Sequence, residues 1–172
     1  MKKIYIVIGL LLFCFSVPGQ NMRHVKGVNM FGLTYGISKD TKLYGISLTS
    51  YMRRNLMWNA TAWYESGREG STKIDNYLLN AGVDYTPFVL VNNVLFFNIG
   101  ASVNFGFETL KSNESTDTKN KFTFGPSINT NLECYITSRL VAQIKAEQFY
   151  TPMSNLGNWV FVYSLGLKFC MY

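Results

Sequence analysis

The sequence predicts an all-β fold: an eight-stranded antiparallel up-and-down transmembrane β-barrel of the outer-membrane type, after a cleaved signal peptide. Three observations lead to this prediction. Eight segments alternate between large apolar residues and small or polar ones, which is the period of a strand. The connections between them tend to alternate between short and long. The one long apolar run stands at the N-terminus and is shorter than the roughly 20 residues that a membrane-spanning helix needs.

The N-terminal segment has the three parts of a secretory signal peptide. Residues 1–3 are a short basic region, residues 4–15 are an almost unbroken apolar run, and residues 16–20 contain the small residues of a cleavage site. We therefore expect the chain to be exported.

Cleavage is expected between Gly19 and Gln20, which makes residues 1–19 the signal peptide and residues 20–172 a single barrel domain. Two alternatives stay open. The segment could be an uncleaved anchor or a buried helix, or it could be processed as a lipoprotein at Cys14. A bulky residue precedes Cys14 where lipoprotein signals have a small one, which disfavours the lipoprotein.

The alternation is clearest in the middle of the chain. In residues 94–108, Phe97 and Ile99 belong to an apolar parity, whereas Asn98 and Gly100 belong to a small or polar one. The first two segments show the same split more weakly. The eight predicted strands cover residues 30–38, 43–51, 56–65, 76–86, 94–108, 122–136, 140–150 and 159–171.

The connections predict which end of the barrel faces outwards. Those after the second, fourth and sixth strands are short, and those after the third, fifth and seventh are longer and polar; the first is short and departs from the trend. We expect the loops at residues 66–75 and 109–121 to be exposed contact surfaces. Pro126 falls inside the sixth strand, where it predicts a local bulge.

The two faces of the predicted strands differ in chemistry. The polar face is mostly Gly, Ser, Thr and Asn, which suit a narrow lumen packed with side chains, and the apolar face suits lipid. A secreted lipocalin-like carrier is the soluble alternative, but it would need a charged exterior. Interfacial aromatic girdles are expected from Tyr44, Trp58, Tyr64, Tyr77, Tyr85, Trp159 and Tyr163.

The same parity directs seven charged residues inwards. Paired carboxylates can serve acid–base catalysis, but a network of carboxylates and lysines that fills a small barrel is the simpler interpretation. At eight strands, side chains just fill the interior, so no open pore is expected. The inward charges are Glu65, Asp84, Glu108, Glu133, Lys145, Glu147 and Lys168.

The composition predicts a protein that is not an enzyme, with no catalytic, cofactor-binding or metal-binding residues. The chain is 48% hydrophobic and 15% charged, so it is no disordered tail, and its single histidine, His24, precedes the first strand. No basic cluster with interleaved aromatic residues supports direct nucleic-acid binding. Cys134 and Cys170 fall on opposite parities, which makes a disulfide between them geometrically unfavourable.

The final strand resembles the C-terminal assembly signal of bacterial outer-membrane barrels. It has a polar Ser164, Gly166 two residues later, and the hydrophobic Phe169 and Met171 spaced by one residue. The resemblance implies recognition by the barrel-assembly machinery. An ordinary amphipathic last strand is the alternative.

Several stretches of the mature chain resemble the TraO family of conjugative transposon proteins from Bacteroidetes-type bacteria. They are YLLNAGVDY at 77–85, LFFNIGAS at 95–102, ECYITSRLV at 133–141 and SLGLKF at 164–169, none of which is a catalytic motif. The resemblance covers about residue 30 to the C-terminus and implies an exported, non-enzymatic component of a DNA-transfer apparatus. It implies other transfer proteins as partners, whereas outer-membrane lipid is expected as a partner from the apolar face of the strands. The alternative is a generic small barrel for adhesion, surface defence or envelope integrity, without a part in transfer.

Overall fold

The computed structural model describes residues 26–39, 41–69, 72–90, 94–112, 118–152, 154 and 158–171. The predicted signal peptide, Cys14 and His24 lie outside these residues. Within the described ranges, no helix is long and apolar enough to cross a membrane.

Eight strands form one closed antiparallel barrel in chain order, as the sequence predicts. Each strand pairs with the next, and the first pairs with the last from Asn29↔Met171 to Ile37↔Tyr163. The strands are β1 (Asn29–Ile37), β2 (Thr41–Arg53), β3 (Leu56–Glu69), β4 (Thr72–Leu90), β5 (Leu95–Ser112), β6 (Thr118–Tyr135), β7 (Leu140–Tyr150) and β8 (Trp159–Met171).

The two ends of the barrel are distinguished by the connections. The start of β1 and the end of β8 lie at one end, together with the β2–β3, β4–β5 and β6–β7 turns; we call this the inner end. The other four connections lie at the outer end.

Side chains alternate between the lumen and the outer wall, and the alternation follows the predicted parity. In β8, Ser164 and Lys168 are buried, whereas Leu165 and Leu167 are 60% and 54% exposed on the wall. Large apolar side chains are exposed in the same way around the whole circumference. A contiguous apolar wall of this extent suits lipid rather than water.

The predicted girdle residues also lie on the outer wall. Tyr44, Trp58, Tyr77, Tyr85, Trp159 and Tyr163 are exposed there. Tyr64 is half-buried, and its ring packs against the ring of Tyr77 with a distance of 5.3 Å between the ring centroids.

The prediction of long loops at residues 66–75 and 109–121 is wrong. β3 continues to Glu69 before β4 begins at Thr72, and β5 continues to Ser112 before β6 begins at Thr118. Beyond the apolar part of the outer wall, which we call the apolar band, both faces of a hairpin contact water. The alternation of apolar and polar residues is therefore lost there, although the strands remain paired through their backbones.

The outer rim is therefore uneven. β2 pairs with β3 only up to Thr41↔Gly67, and β7 pairs with β6 only up to Ser127↔Phe149, while β3–β6 continue further. We call the projecting ends of these four strands, residues 66–69, 72–75, 109–112 and 118–121, the outer extension.

The predicted bulge at Pro126 is absent from β6. Pro126 pairs with Val103 in a continuous register with β5. The pairing of β6 with β7 ends at Ser127, and Pro126 lies one residue further towards the outer end. The N–H group that proline lacks is therefore not needed for pairing with β7. Register shifts occur instead between Tyr85 and Phe88, beside another proline, and between Tyr51 and Arg53.

Candidate functional site

Side chains fill the lumen in layers. An apolar layer at the inner end contains Met30, Tyr51, Met57, Phe96, Tyr135, Val141 and Cys170. A second apolar layer towards the outer end contains Leu43, Trp63, Leu78, Phe149 and Val162. Polar side chains occupy the space between them, so the polar middle of the lumen is closed on both sides.

All seven charged residues that the sequence predicts to point inwards are buried. None is more than 8% exposed, although each carries or can carry a full charge. Burial of a charge is costly unless it is paired or hydrogen-bonded, so their partners define the site. They are Glu65, Asp84, Glu108, Glu133, Lys145, Glu147 and Lys168.

Glu133 lies at the centre of the inner network. Lys168 Nζ lies 2.8 Å from its Oε1, and the Tyr51 hydroxyl donates to its Oε2 at 3.0 Å. The Tyr51 and Tyr135 hydroxyl oxygens are 3.4 Å apart. Because β2 lies opposite β6 in the barrel, Tyr51 connects the two walls of the lumen.

Glu147 is the centre of a second network, nearer the outer end. Its Oε1 accepts hydrogen bonds from Asn80 Nδ2 at 2.7 Å, Ser127 Oγ at 2.9 Å and Ser102 Oγ at 3.2 Å. Its Oε2 lies 2.8 Å from Lys145 Nζ. Strands β4, β5, β6 and β7 are thereby joined through one carboxylate.

Asp84 is held by amides rather than by a lysine contact. Asn129 Nδ2 donates to its Oδ1 at 3.1 Å and Asn131 Nδ2 donates to its Oδ2 at 3.0 Å. Asn131 in turn accepts from Asn98 Nδ2 at 2.6 Å, and Asn98 accepts from the Thr86 hydroxyl. The result is a chain of oriented amides across three strands.

Glu65 and Glu108 lie above the outer apolar layer. Glu65 accepts from the Thr41 hydroxyl and, at 2.9 Å, from Asn76 Nδ2. Glu108 accepts from Ser154 Oγ at 2.8 Å. Ser154 lies in the β7–β8 connection, and its side chain therefore contacts the mouth of the barrel.

A glycine allows this connection to turn inwards. A Cβ at Gly125 would lie only 1.7 Å from the carbonyl oxygen of Tyr150, so no other residue fits without moving the backbone. Thr151, the next residue, is buried.

The network members that were not singled out from sequence include Thr41, Tyr51, Tyr135 and Ser154. Parity could have placed Tyr51 in the lumen, whereas no periodic signal marks Ser154.

The arrangement is structural rather than catalytic in its chemistry. The carboxylates of the two main networks are each engaged by several donors, as expected of groups that hold strands together. Among the described residues, no cluster of three His, Cys, Asp or Glu could hold a metal ion. Cys170 is a free buried thiol, so it is not bonded to Cys134.

One carboxylate outside the apolar band has a shifted pKa. Asp75 lies in the outer extension, and its hydrogen bond with Lys73, whose Nζ lies 3.0 Å away, lowers its pKa from the usual value. The Tyr64 hydroxyl, which donates at 2.9 Å, and the Ser66 hydroxyl act in the same direction. These contacts hold the β3–β4 hairpin together above the girdle.

Comparison with known proteins gives a family and a fold. The model of a family described as conjugative transposon protein TraO matches residues 17–171. No curated protein sequence matches the chain significantly.

Similar solved structures are outer-membrane barrels. The N-terminal β-barrel domain of OprF from Pseudomonas aeruginosa is 16% identical with a TM-score of 0.66, covering 85% of this chain and 98% of that one. Neisserial surface protein A is 13% identical with a TM-score of 0.66, covering 83% and 95%. Ail, the attachment invasion locus protein of Yersinia pestis, is 12% identical with a TM-score of 0.58, covering 86% and 100%. At these identities the likeness concerns the fold alone.

Proposed function

Because the chain belongs to the TraO family of conjugative transposon proteins, we propose that it is a non-enzymatic outer-membrane component of a conjugative DNA-transfer apparatus. The family match over residues 17–171 is the main support for the proposal, and the filled lumen supports a role in contact. A barrel whose polar middle is closed by apolar layers on both sides offers surfaces for contact rather than a passage for a substrate.

The outer extension is the contact surface that we assign to other transfer proteins. It projects above the rest of the rim, and its side chains include the exposed Arg68 and Lys73. Polar, charged strand ends beyond the apolar band can bind a partner without disturbing the part that lies in lipid.

The proposal includes the route to the membrane. Residues 1–19 direct export, residues 20–172 form the barrel in the outer membrane of a Gram-negative cell, and β8 presents Ser164, Gly166, Phe169 and Met171 to the barrel-assembly machinery. Membrane insertion is checked by electrophoresis of isolated outer membranes with and without boiling. A heat-dependent shift in mobility supports the closed membrane barrel, whereas protein in the soluble fraction without a shift favours the soluble carrier.

The role in transfer is tested by deleting the gene from a donor strain and measuring transfer frequency. We expect transfer to fall and to recover with the wild-type gene. Complementation with the double variant Arg68→Glu/Lys73→Glu should restore the transfer frequency only in part. The control variant Arg139→Glu, which changes an exposed residue at the inner end, should restore the transfer frequency fully.

Unchanged transfer after deletion contradicts the proposal. If the deleted donor mates normally but becomes leaky or loses adherence, the protein is instead a general barrel for adhesion, surface defence or envelope integrity.

A further inference from the structure

The rim of the barrel is lowest at the β1–β2 connection, and a cleft opens in the wall at this point. β1 pairs with β8 only as far as Ile37↔Tyr163, while β8 extends outwards to Trp159 alongside β7. The cleft has a volume of about 430 Å³. This lies within the range of sites that bind small molecules or headgroups.

The outer side of the cleft is apolar and faces the bilayer. Ile37, Phe161 and Tyr163 line it, and they are 49%, 54% and 60% exposed on the lipid-facing wall. Trp159 lines the cleft beside them. A molecule could therefore enter this cleft from the membrane without passing through the barrel.

The floor of the cleft carries a buried carboxyl group. The Glu65 side chain is 4% exposed and accepts hydrogen bonds only from neutral donors, Thr41 and Asn76, among the described residues. Glu133 and Glu147, by contrast, each contact a lysine. A carboxylate that is buried without a counter-ion attracts a cation.

A second cavity adjoins the same carboxylate. It has a volume of about 20 Å³, enough for one small group, and Glu65, Asn76 and Thr151 line it. Asn76 Oδ1 and Thr151 Oγ1 are buried there without a hydrogen-bond partner. Both oxygens can accept a hydrogen bond, so two unused acceptors lie beside Glu65.

We propose that the cleft binds the headgroup of a bilayer phospholipid that carries a primary ammonium, a headgroup of the phosphatidylethanolamine type. The ammonium donates to Glu65, and the acyl chains follow the apolar wall at Ile37 and Phe161. Lys39 also lines the cleft, at its exposed rim. This inference goes beyond a role in transfer and depends only on insertion of the barrel in a membrane.

The test uses the protein in dodecyl maltoside micelles, with the three tryptophan indole N–H signals observed by NMR. Dioctanoyl phosphatidylethanolamine is titrated into one sample, and dioctanoyl phosphatidylglycerol, which has the same acyl chains and no amine, is titrated into another. We expect the Trp159 signal to shift saturably with the ethanolamine lipid, at a concentration at least about tenfold lower than with the glycerol lipid, a difference of about 1.4 kcal/mol.

Glu65→Gln should weaken binding of the ethanolamine lipid by about tenfold or more, since it removes the charge and keeps the shape. Asp75→Asn is the matched control, because that carboxylate faces away from the cleft, and it should bind like the wild type. Equal responses to the two lipids, or wild-type binding by Glu65→Gln, would overturn the proposal.

A second variant keeps the test decisive if Glu65→Gln does not fold. Ile37→Trp changes an exposed wall residue, fills the cleft and leaves the buried carboxylate intact. We expect it to abolish saturable binding, and undiminished binding by this variant also overturns the proposal.

Discussion

Lys168 and Glu133 lie two strands apart, on β8 and β6, and meet inside the lumen with Nζ 2.8 Å from Oε1. Neither side chain is more than 3% exposed. Lys168→Met should therefore destabilise the barrel by about 3–5 kcal/mol, because it leaves a buried carboxylate without its counter-ion. The free energy of unfolding in lipid vesicles, from urea titration, measures the effect.

The double variant Lys168→Met/Glu133→Gln provides the control for this pair. It removes both charges and keeps an acceptor for Tyr51, so most of the lost stability should return. A double variant no more stable than Lys168→Met would contradict the charge-pair account.

Glu147→Ala should be among the most destabilising changes in the lumen. It removes the carboxylate that contacts the buried Lys145 and deprives Asn80 and Ser127 of their acceptor, at a cost of about 3–5 kcal/mol. Glu147→Gln retains one acceptor oxygen and should cost less. Urea unfolding of the two variants side by side checks the order, and the reverse order would refute a hub role for the carboxylate.

Gly125→Ala should displace the outer end of β7. The added Cβ would fall 1.7 Å from the Tyr150 carbonyl oxygen, so the backbone must shift, at a cost of about 1–3 kcal/mol. Gly36→Ala is the comparison, because its Cβ would be 3.1 Å from the nearest atom, a methyl group of Val162, and not against the backbone. Amide hydrogen exchange at Thr151 should accelerate in the first variant only.

Leu165→Arg separates a membrane barrel from a soluble one. Leu165 is 60% exposed near the middle of β8, where a charge in lipid costs about 2–4 kcal/mol and a charge in water costs almost nothing. Asn120→Arg, on the exposed outer part of β6, should be neutral in either case. Equal stability of both variants in vesicles would argue against a lipid-facing wall.

The β3–β4 hairpin end should loosen in acid. Since the folded-state pKa of Asp75 is lowered, first by Lys73 and also by Tyr64, its contribution to stability is present above the unfolded pKa of about 3.9 and is lost as pH falls through the folded value. Backbone amide exchange around Ser66 should therefore rise below about pH 4. Asp75→Asn should remove this pH dependence, and persistence of the dependence would assign it to another group.

Parity along single strands was sufficient to predict the barrel and its inward charges. Glu133 and Lys168 are both placed in the lumen by alternation alone, yet their contact was not foreseeable, because it depends on how β6 and β8 are staggered around the barrel. The alternation of apolar and polar residues is also absent where a strand does not contact lipid. Residues 66–69 and 72–75 therefore resembled a loop in the sequence, although they belong to β3 and β4. Pro126 was misjudged for a related reason: its own strand does not reveal where β7 ends.

The two apolar layers have a consequence for the cell that carries this protein. A hydrophilic antibiotic or a small ion that enters the barrel from either end meets a layer of apolar side chains before it can reach the polar middle. The interior therefore offers such a solute no continuous polar path from one end of the barrel to the other.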